Sequence, residues 1–307
     1  MHFNTLYWIG GLTCLLFTPF SKCKRVISEK PFTPEDFIEV NKQLKPTYYL
    51  GSPSQIGQLL AHPNLDFSAL TSLRVLYIAG NPLPYKLVEK LQKYIPEANI
   101  LNPYGITETC GTVAIGPAIE DGNVGQLAKN IEVKIIDDDN KRLGPGEIGE
   151  ICLRRYYHWP GYYDNPKATN DVYDSERWFH SGDLGYFNAK GDLYVIDRKK
   201  DILKYMNFHF FPSEIESVIL ELPDVVAVCV FGVPDIICTF LPAAVIVKLP
   251  GSSLTGKEVY EHVKERMTHF KQLRGGVYFV NELPQTVSEK ILRRKMAEFC
   301  QSLNNEL

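Results

Sequence analysis

The sequence predicts an α/β fold that passes into a β-rich part and ends in a small α+β domain. Three observations carry this prediction. Residues 31–101 alternate strand and helix patterns, which is typical of an α/β sheet. From about residue 112 short alternating strands and turns dominate, and after residue 198 strands mix again with amphipathic helices. A chain of 307 residues is long enough for two domains, which we place at residues 1–198 and 199–307.

The composition excludes several classes of protein. Apolar residues make up 45% and charged residues 22%, which is unlike a disordered or fibrous chain. The net charge of −3 is unlike the basic surface of a nucleic-acid binder, so we expect no nucleic-acid partner. No run of eighteen apolar residues is present, and we expect no membrane association. Seven cysteines without a C-x-x-C pair indicate reduced thiols rather than a disulfide framework or a zinc ribbon.

The first long apolar run, TLYWIGGLTCLLFTPF at residues 5–20, has two interpretations. Sixteen residues are short for a membrane span, so we expect a helix buried in a large core. The alternative is a signal anchor, because Lys22, Lys24 and Arg25 follow the run. A cleavable signal peptide is disfavoured, since no basic region precedes the apolar residues.

Local signals predict each element of the α/β part. Thr33 suits a helix N-cap, because Pro34 can take the first helical position and two acidic residues follow it. Apolar residues at helical spacing predict further helices, and short buried runs predict strands. The helices are predicted at 56–62 and 84–94, and the strands at 48–50, 73–79 and 99–101.

The same reasoning covers the rest of the chain. The turn sequence at 188–192 predicts a hairpin between its flanking strands. Ser213 is predicted as an N-cap with Glu216 at the capping-box position. The predicted strands are 131–136, 148–153, 184–187, 193–196, 225–232, 243–247 and 276–280, and the predicted helices are 213–222, 254–270 and one from about 291.

The first of four chemically suggestive motifs is YGITET, which begins at Tyr104. The tyrosine offers an aromatic face for stacking, and Gly105 permits close approach of the backbone. Thr107 offers a hydroxyl to a phosphate, and Glu108 offers a carboxylate to a metal ion. The alternative for so short a motif is an ordinary turn.

The other three motifs each have a structural alternative as well. Asp183 in Ser-Gly-Asp can accept two ribose hydroxyls or merely cap a turn. Arg198 in DRKKD can pair with a phosphate at a hinge or belong to a solvated linker. Lys290 in PQTVSEKILRR can stabilise charge on a reacting carboxylate and phosphate, or begin a basic surface helix.

The order and spacing of these four motifs resemble the adenylate-forming enzymes, the superfamily of acyl-CoA synthetases, coumarate–CoA ligases and beetle luciferases. The segments GYYDNP at 161–166 and LRGGV at 273–277 are similar to insect luciferase-like acyl-CoA ligases. The resemblance covers nearly the whole chain. It implies a partial AMP-binding N-terminal domain at 1–198 and a mobile C-terminal domain at 199–307.

The resemblance also implies an activity, namely ATP-dependent acid–thiol ligation of a fatty or aromatic carboxylic acid. The acid first forms an acyl adenylate with release of pyrophosphate, and coenzyme A then displaces AMP. The C-terminal domain rotates between the two steps about a hinge. The implied ligands are ATP or AMP, Mg²⁺, coenzyme A and the carboxylic acid.

The resemblance assigns roles to particular residues. Thr107 would contact the α-phosphate, and Glu108 would hold Mg²⁺. Lys290 would be the adenylation lysine, Lys204 would act in the rotated conformation, and Lys200 would lie near the pivot. The residues implied to bind the nucleotide are Gly80, Asn81, Pro82, Asn102, Tyr104, Gly105, Asp183 and Arg198.

One departure from the family pattern keeps an alternative open. The Ser/Thr/Gly-rich loop that cradles the outer phosphates in the family has no counterpart here, so we expect the chain to begin inside the N-terminal domain. The alternative is therefore a truncated, non-catalytic paralogue or fragment. Light-emitting oxygenation is a weaker alternative, because kinship of fold does not determine function. Residues 303–307 do not form an S-K-L address, and we expect a cytoplasmic or peroxisomal protein.

Overall fold

The computed structural model of the chain describes residues 1–62, 65–157, 159–286 and 291–307. The chain divides into two compact units, Met1–Lys199 and Lys200–Leu307, called unit 1 and unit 2 below. Within the described residues, unit 1 holds a three-stranded sheet and a seven-stranded sheet, and unit 2 holds a five-stranded sheet. The predicted α/β fold with a small C-terminal domain is confirmed.

The first sheet of unit 1 is parallel, with the strand order β1-β2-β3. Thr33 caps α2 as predicted, because its side chain accepts a hydrogen bond from the Asp36 N–H. Helix α3 begins earlier than predicted, since Ser52 and Gln55 form a capping box. These elements are α2 (Pro34–Leu44), β1 (Tyr48–Gly51), α3 (Pro53–Ala61), β2 (Val75–Ile78), α4 (Tyr85–Gln92) and β3 (Asn99–Leu101).

Helix α1 (Ile9–Phe20) is not a buried core helix, so that prediction is wrong. Gly11 is its one buried residue, whereas Leu16, Phe17 and Phe20 are exposed. An apolar sequence favours burial, but burial also needs a partner surface, which the sequence of the helix does not supply. None of the helices in the described part of the chain combines the length and the apolar character that a membrane span requires.

The second sheet of unit 1 is antiparallel, with the strand order β4-β5-β6-β10-β9-β8-β7. The predicted hairpin is confirmed, because Leu193 lies opposite Phe187. Its elements are β4 (Tyr104–Ile106), β5 (Gly111–Ile115), β6 (Asn123–Leu127), β7 (Ile131–Ile136), β8 (Gly149–Arg155), α5 (Pro166–Asp171), β9 (Phe179–Phe187) and β10 (Leu193–Arg198).

A β-bulge in β10 decides which residue faces Asp183. Val195 pairs with Gly185, but the next pair is Asp197 with Leu184, so β10 contains one extra residue there. Arg198 consequently lies opposite Asp183. In an unbroken register Asp197 would take that place, and two carboxylates would face each other.

The sheet of unit 2 is built around β14, which pairs antiparallel with β13 and β11 and parallel with β15. Its core contains fully buried Phe210, Val230, Ile246 and Val263. The elements are β11 (Leu203–Tyr205), β12 (Phe208–Phe210), α6 (Pro212–Ile219), β13 (Val225–Asp235), β14 (Thr239–Lys248), α7 (Gly256–Arg266), β15 (Gly276–Val280) and α8 (Met296–Cys300).

Two predicted helix starts in unit 2 are wrong. Ser213 is not the N-cap of α6, because Pro212 is already the first helical residue and Phe211 precedes it. Glu216 is therefore not in a capping box, and it accepts a hydrogen bond from the Val230 N–H instead. The last helix does not begin near residue 291, since that residue bridges Gln285 and α8 begins only at Met296.

Candidate functional site

Tyr104, Asp183 and Arg198 form a hydrogen-bonded cluster on neighbouring parts of unit 1. The Tyr104 hydroxyl donates to Asp183 Oδ2 at 2.6 Å, and Arg198 Nε lies 3.0 Å from Asp183 Oδ1. The Asp183 residue is 3% exposed, whereas the Arg198 side chain is 44% exposed. Folding thus joins three residues from three separate motifs, and it leaves the guanidinium open to solvent.

The electrostatics of this cluster keep the Tyr104 hydroxyl protonated. Burial, together with the negative charge of Asp183, raises the pKa of the Tyr104 hydroxyl well above its usual value. Tyr104 therefore remains a hydrogen-bond donor to Asp183. An ionised carboxylate accepts several hydrogen bonds at once, so this aspartate can hold its protein partners and receive ligand hydroxyls as well.

The predicted adenine-binding residues lie at one edge of the parallel sheet. Gly80, Asn81 and Pro82 follow β2, and Asn102 follows β3, which is the neighbouring parallel strand. The carboxyl ends of adjacent parallel strands meet at the same edge, which is the ligand-binding edge of α/β sheets. The two segments therefore lie at the same edge of the sheet.

The backbone and side-chain geometry at this edge suits a bound base. Asn102 is buried, and its Nδ2 donates to the Asn123 carbonyl at 2.8 Å, which holds the amide in place. Gly80 has φ of +99°, and a Cβ added there would meet no atom within 4 Å. Backbone conformation rather than crowding thus requires this glycine, and the space beside it is open.

The residues after Tyr104 form a strand and a short 3₁₀ turn (Thr107–Thr109) rather than a loop. A Cβ at Gly105 would meet the Gly111 carbonyl oxygen at 2.4 Å, so strand pairing already requires that glycine. Glu108 Oε1 accepts a hydrogen bond from the Tyr162 hydroxyl at 2.6 Å. Burial and this bond raise the pKa of Tyr162 to about 12, so the hydroxyl stays a donor.

Glu108 fits a Mg²⁺ ion that arrives with a nucleotide. Among the described residues, no group of three or more His, Cys, Asp and Glu side chains is placed to hold a metal ion. Mg²⁺ bound with substrate phosphates needs only one or two carboxylates, because phosphate oxygens and water complete its shell. The Glu108 carboxylate beside the exposed Thr107 therefore suits an ion that is bound together with a nucleotide.

The remaining predicted residues are the three lysines. Lys204 is exposed on β11 opposite His209. Lys200 is exposed in a 3₁₀ turn, and its carbonyl oxygen accepts a hydrogen bond from Arg294 at 3.3 Å. Lys290 lies outside the described residues.

Sequence reasoning missed Tyr162 as a partner of Glu108. The two residues are 54 positions apart, and their contact depends on how the segment before α5 folds back onto the sheet. The tyrosine did stand in the segment GYYDNP, but nothing in its spacing indicated a hydrogen bond with a carboxylate so distant in the chain.

Comparison with known proteins identifies the family. Residues 1–163 match the model of the AMP-binding enzymes, and residues 214–290 match that of the AMP-binding enzyme C-terminal domain. The chain belongs to the AMP-binding enzyme family. The predicted resemblance to adenylate-forming enzymes is therefore confirmed, and the ligases and luciferases of this family are its relatives.

Two curated relatives illustrate the range of the AMP-binding family. Luciferin 4-monooxygenase of Nipponoluciola cruciata is 34% identical over 277 residues, covering 89% of this chain and 50% of the relative. A 4-coumarate–CoA ligase-like protein of Arabidopsis thaliana is 36% identical over 272 residues, covering 87% and 48%. The chain thus spans about half the length of the curated relatives it matches.

Solved structures of AMP-binding enzymes have the same fold. ATP-bound MatB of Rhodopseudomonas palustris matches with a TM-score of 0.86 at 25% identity, covering 98% of this chain and 60% of that one. The anthranilate CoA ligase AuaEII in complex with anthranoyl-AMP matches with a TM-score of 0.80 at 27% identity, covering 89% and 54%. The first of these structures contains ATP, and the second contains anthranoyl-AMP.

Proposed function

We propose that this chain takes part in ATP-dependent acid–thiol ligation of a fatty or aromatic carboxylic acid. The observation that carries the proposal is the cluster of Tyr104, Asp183 and Arg198, which suits the ribose and phosphate of an adenine nucleotide. Membership of the AMP-binding family supports it, because relatives and structural neighbours of the chain include CoA ligases.

The residues of unit 1 would bind and orient the nucleotide. The base would lie at the sheet edge beside Gly80 and Asn102, with Tyr104 against it. Asp183 would accept the two ribose hydroxyls, which a carboxylate can do simultaneously. The exposed guanidinium of Arg198 would reach ribose or phosphate oxygens, since planar N–H donors match such oxygens well.

The reaction would proceed in two steps. An oxygen of the acid attacks the α-phosphorus of ATP, the bond to the bridging oxygen breaks, and pyrophosphate leaves. A thiol of coenzyme A then attacks the acyl carbon, its proton passes to solvent, and AMP leaves. Thr107 would donate to the α-phosphate, and Glu108 would hold a Mg²⁺ ion whose charge offsets that of the phosphates.

The lysines of the C-terminal unit would serve the two steps separately. Lys290 would neutralise the developing charge between the acid and the phosphate during adenylation, where a preorganised cation is most effective. Lys204 would serve the thiol step, and Lys200 would lie at the pivot between the two arrangements. Hinges of this kind need only a few residues that change their backbone angles.

Exchange of labelled pyrophosphate into ATP tests the proposal. We expect exchange that depends on an added fatty or aromatic acid and that Lys290→Ala abolishes, while AMP still binds. Lys257→Ala is the matched control, because Lys257 is an exposed lysine on α7. No exchange above background across a broad panel of acids, or exchange that survives Lys290→Ala, contradicts acid activation by this chain.

A second candidate is a chain that binds adenine nucleotide without activating acids. Its basis is that residues 1–307 contain no Ser/Thr/Gly-rich loop of the kind that positions the outer phosphates. Phosphate positioning supplies much of the catalysis in nucleotide chemistry, so its loss should be severe. Calorimetric binding of AMP together with a negative exchange assay would select this candidate.

A further inference from the structure

Residues 181–183 form a bulge in β9 where that strand faces β8. Glu150 pairs with Leu184, and Cys152 pairs with His180. Between these two pairs β8 has one residue, whereas β9 has three. The three bulged residues include Asp183, which the proposed function assigns to the ribose. A bulge next to a binding site can reorient a side chain toward the ligand. It also removes backbone hydrogen bonds between the two paired strands.

The Glu150 side chain supplies an acceptor in place of the backbone hydrogen bonds that the bulge removes. Its Oε1 accepts a hydrogen bond from the Gly182 N–H at 3.3 Å and lies 3.5 Å from His180 Nδ1. The side chain is 11% exposed, so these contacts form in a sheltered place. The next residue of β8 also binds the bulge, because the Ser181 hydroxyl donates to the Ile151 carbonyl at 2.7 Å.

The other oxygen of Glu150 reaches the opposite side of the cluster. Lys199 Nζ lies 3.2 Å from Glu150 Oε2, and Lys199 directly follows Arg198. One carboxylate therefore contacts the residue before Asp183 and the residue after Arg198. It thereby contacts the chain neighbours of both members of that ion pair.

We propose that Glu150 is a positioning residue for ribose recognition, which keeps the bulge in the form that aims Asp183 at Arg198 and Tyr104. This role rests on the proposed nucleotide binding. A side-chain oxygen that accepts from the Gly182 N–H is what this role requires, and a carboxylate strengthens that bond because it also pairs with the Lys199 ammonium group.

Binding of AMP and of 2′,3′-dideoxy-AMP to Glu150 variants tests this role. The wild type should prefer AMP, since the analogue has no ribose hydroxyl to give to Asp183. Glu150→Ala should lower the affinity for AMP about tenfold, the factor expected for one hydrogen bond to a charged group, and leave the affinity for the analogue unchanged. A merely structural residue would lower both affinities equally.

Two further variants separate the contacts. Glu150→Gln keeps an oxygen for the Gly182 N–H and should retain most of the preference for AMP. Asp138→Asn is the matched control, because Asp138 is the other carboxylate on Lys199, at 3.0 Å, and is 91% exposed. It should leave both affinities unchanged. If Glu150→Ala does not fold, Glu150→Asp, which keeps the charge but falls short of Gly182, should show the same selective loss.

The outcomes distinguish this role from the proposed function. A wild type that binds AMP, combined with unchanged or equally reduced affinities in the Glu150 variants, overturns the positioning role alone. A wild type that binds neither nucleotide overturns the proposed function and the ribose role with it. A selective loss in Glu150→Ala that Glu150→Gln largely restores supports both.

Discussion

Replacing Thr239 by glycine should stabilise unit 2. Thr239 has φ of +71°, in the left-handed region that a β-branched residue rarely adopts. It pairs with Asp235 across a three-residue loop, and Asp235 accepts hydrogen bonds from the N–H groups of Ile237 and Cys238. Such hairpins end in a left-handed residue that forms a bulge, and glycine is the residue suited to that position.

The size of the effect follows from three contributions. A non-glycine residue held in the left-handed region carries about 1–3 kcal/mol of strain, which the substitution removes. The greater freedom of glycine in the unfolded chain offsets about 0.4–1 kcal/mol of that gain. Thr239 is exposed, so the loss of its methyl group adds little. We therefore expect Thr239→Gly to raise the free energy of unfolding by about 1 kcal/mol.

Urea unfolding followed by far-ultraviolet circular dichroism measures this change. With a slope of about 1–2 kcal/mol per molar urea, the midpoint should rise by about 0.5–1 M. The three tryptophans are Trp8, Trp159 and Trp178, so their fluorescence follows unit 1 alone and should show an unchanged transition.

The matched control is Thr268→Gly. Thr268 is also exposed, but its φ of −61° is unstrained. Glycine should therefore destabilise that site by about 0.4–1 kcal/mol through the unfolded state alone. If Thr239→Gly lowers the midpoint as much as the control does, the threonine is not strained and the reasoning is refuted.

Three further predictions follow from buried polar contacts. Tyr104→Phe removes the donor to buried Asp183 and should cost about 1.5–3 kcal/mol of stability together with affinity for AMP, measured by urea unfolding and calorimetry. Glu216→Leu removes the carboxylate partner of the Arg293 guanidinium, which lies 2.5 Å away, and should cost about 3–5 kcal/mol in urea unfolding. Burial raises the Cys229 pKa from its ordinary 9.0 to about 12, so between these pH values the folded state binds more protons than the unfolded state. The free energy of unfolding should therefore fall as the pH rises through this window.

Controls make these three predictions specific. The pair Glu216→Leu with Arg293→Met should recover most of the loss, because no buried charge is then left unpaired. Cys229→Ala should flatten the decline of stability between pH 9.0 and about 12. Tyr104→Phe with unaltered AMP affinity would argue against a ribose role for Asp183.

Local chemistry was sufficient to predict many elements. Strands Ile131–Ile136 and Gly276–Val280 have the predicted bounds, because apolar and β-branched residues between turn residues specify a strand locally. The predictions failed at Ser213, where a neighbouring proline takes the helix start, and near Ile291, where a bridge to Gln285 takes priority over the helical pattern. In both places a competing contact outweighed propensity.

The candidate site was predicted as a set of residues but not as an arrangement. Motif order pointed to Tyr104, Asp183 and Arg198, and the structure joins them by hydrogen bonds. Glu150 and Tyr162 were not predicted as partners, since each acts on a residue more than 30 positions away. Contacts at such separation depend on the strand register, which a single sequence does not display.

By itself the sequence determined the order of helices and strands and the family of the chain, because local propensity and ordered motifs do not depend on long-range pairing. Only the tertiary structure decided that Asp183 faces Arg198 and not Asp197. The physical reason is that a bulge in β10 shifts its pairing with β9 by one residue, and a shift of one residue exchanges the faces of a strand. The exposure of α1 was likewise decided by the surfaces that the rest of the molecule offers it.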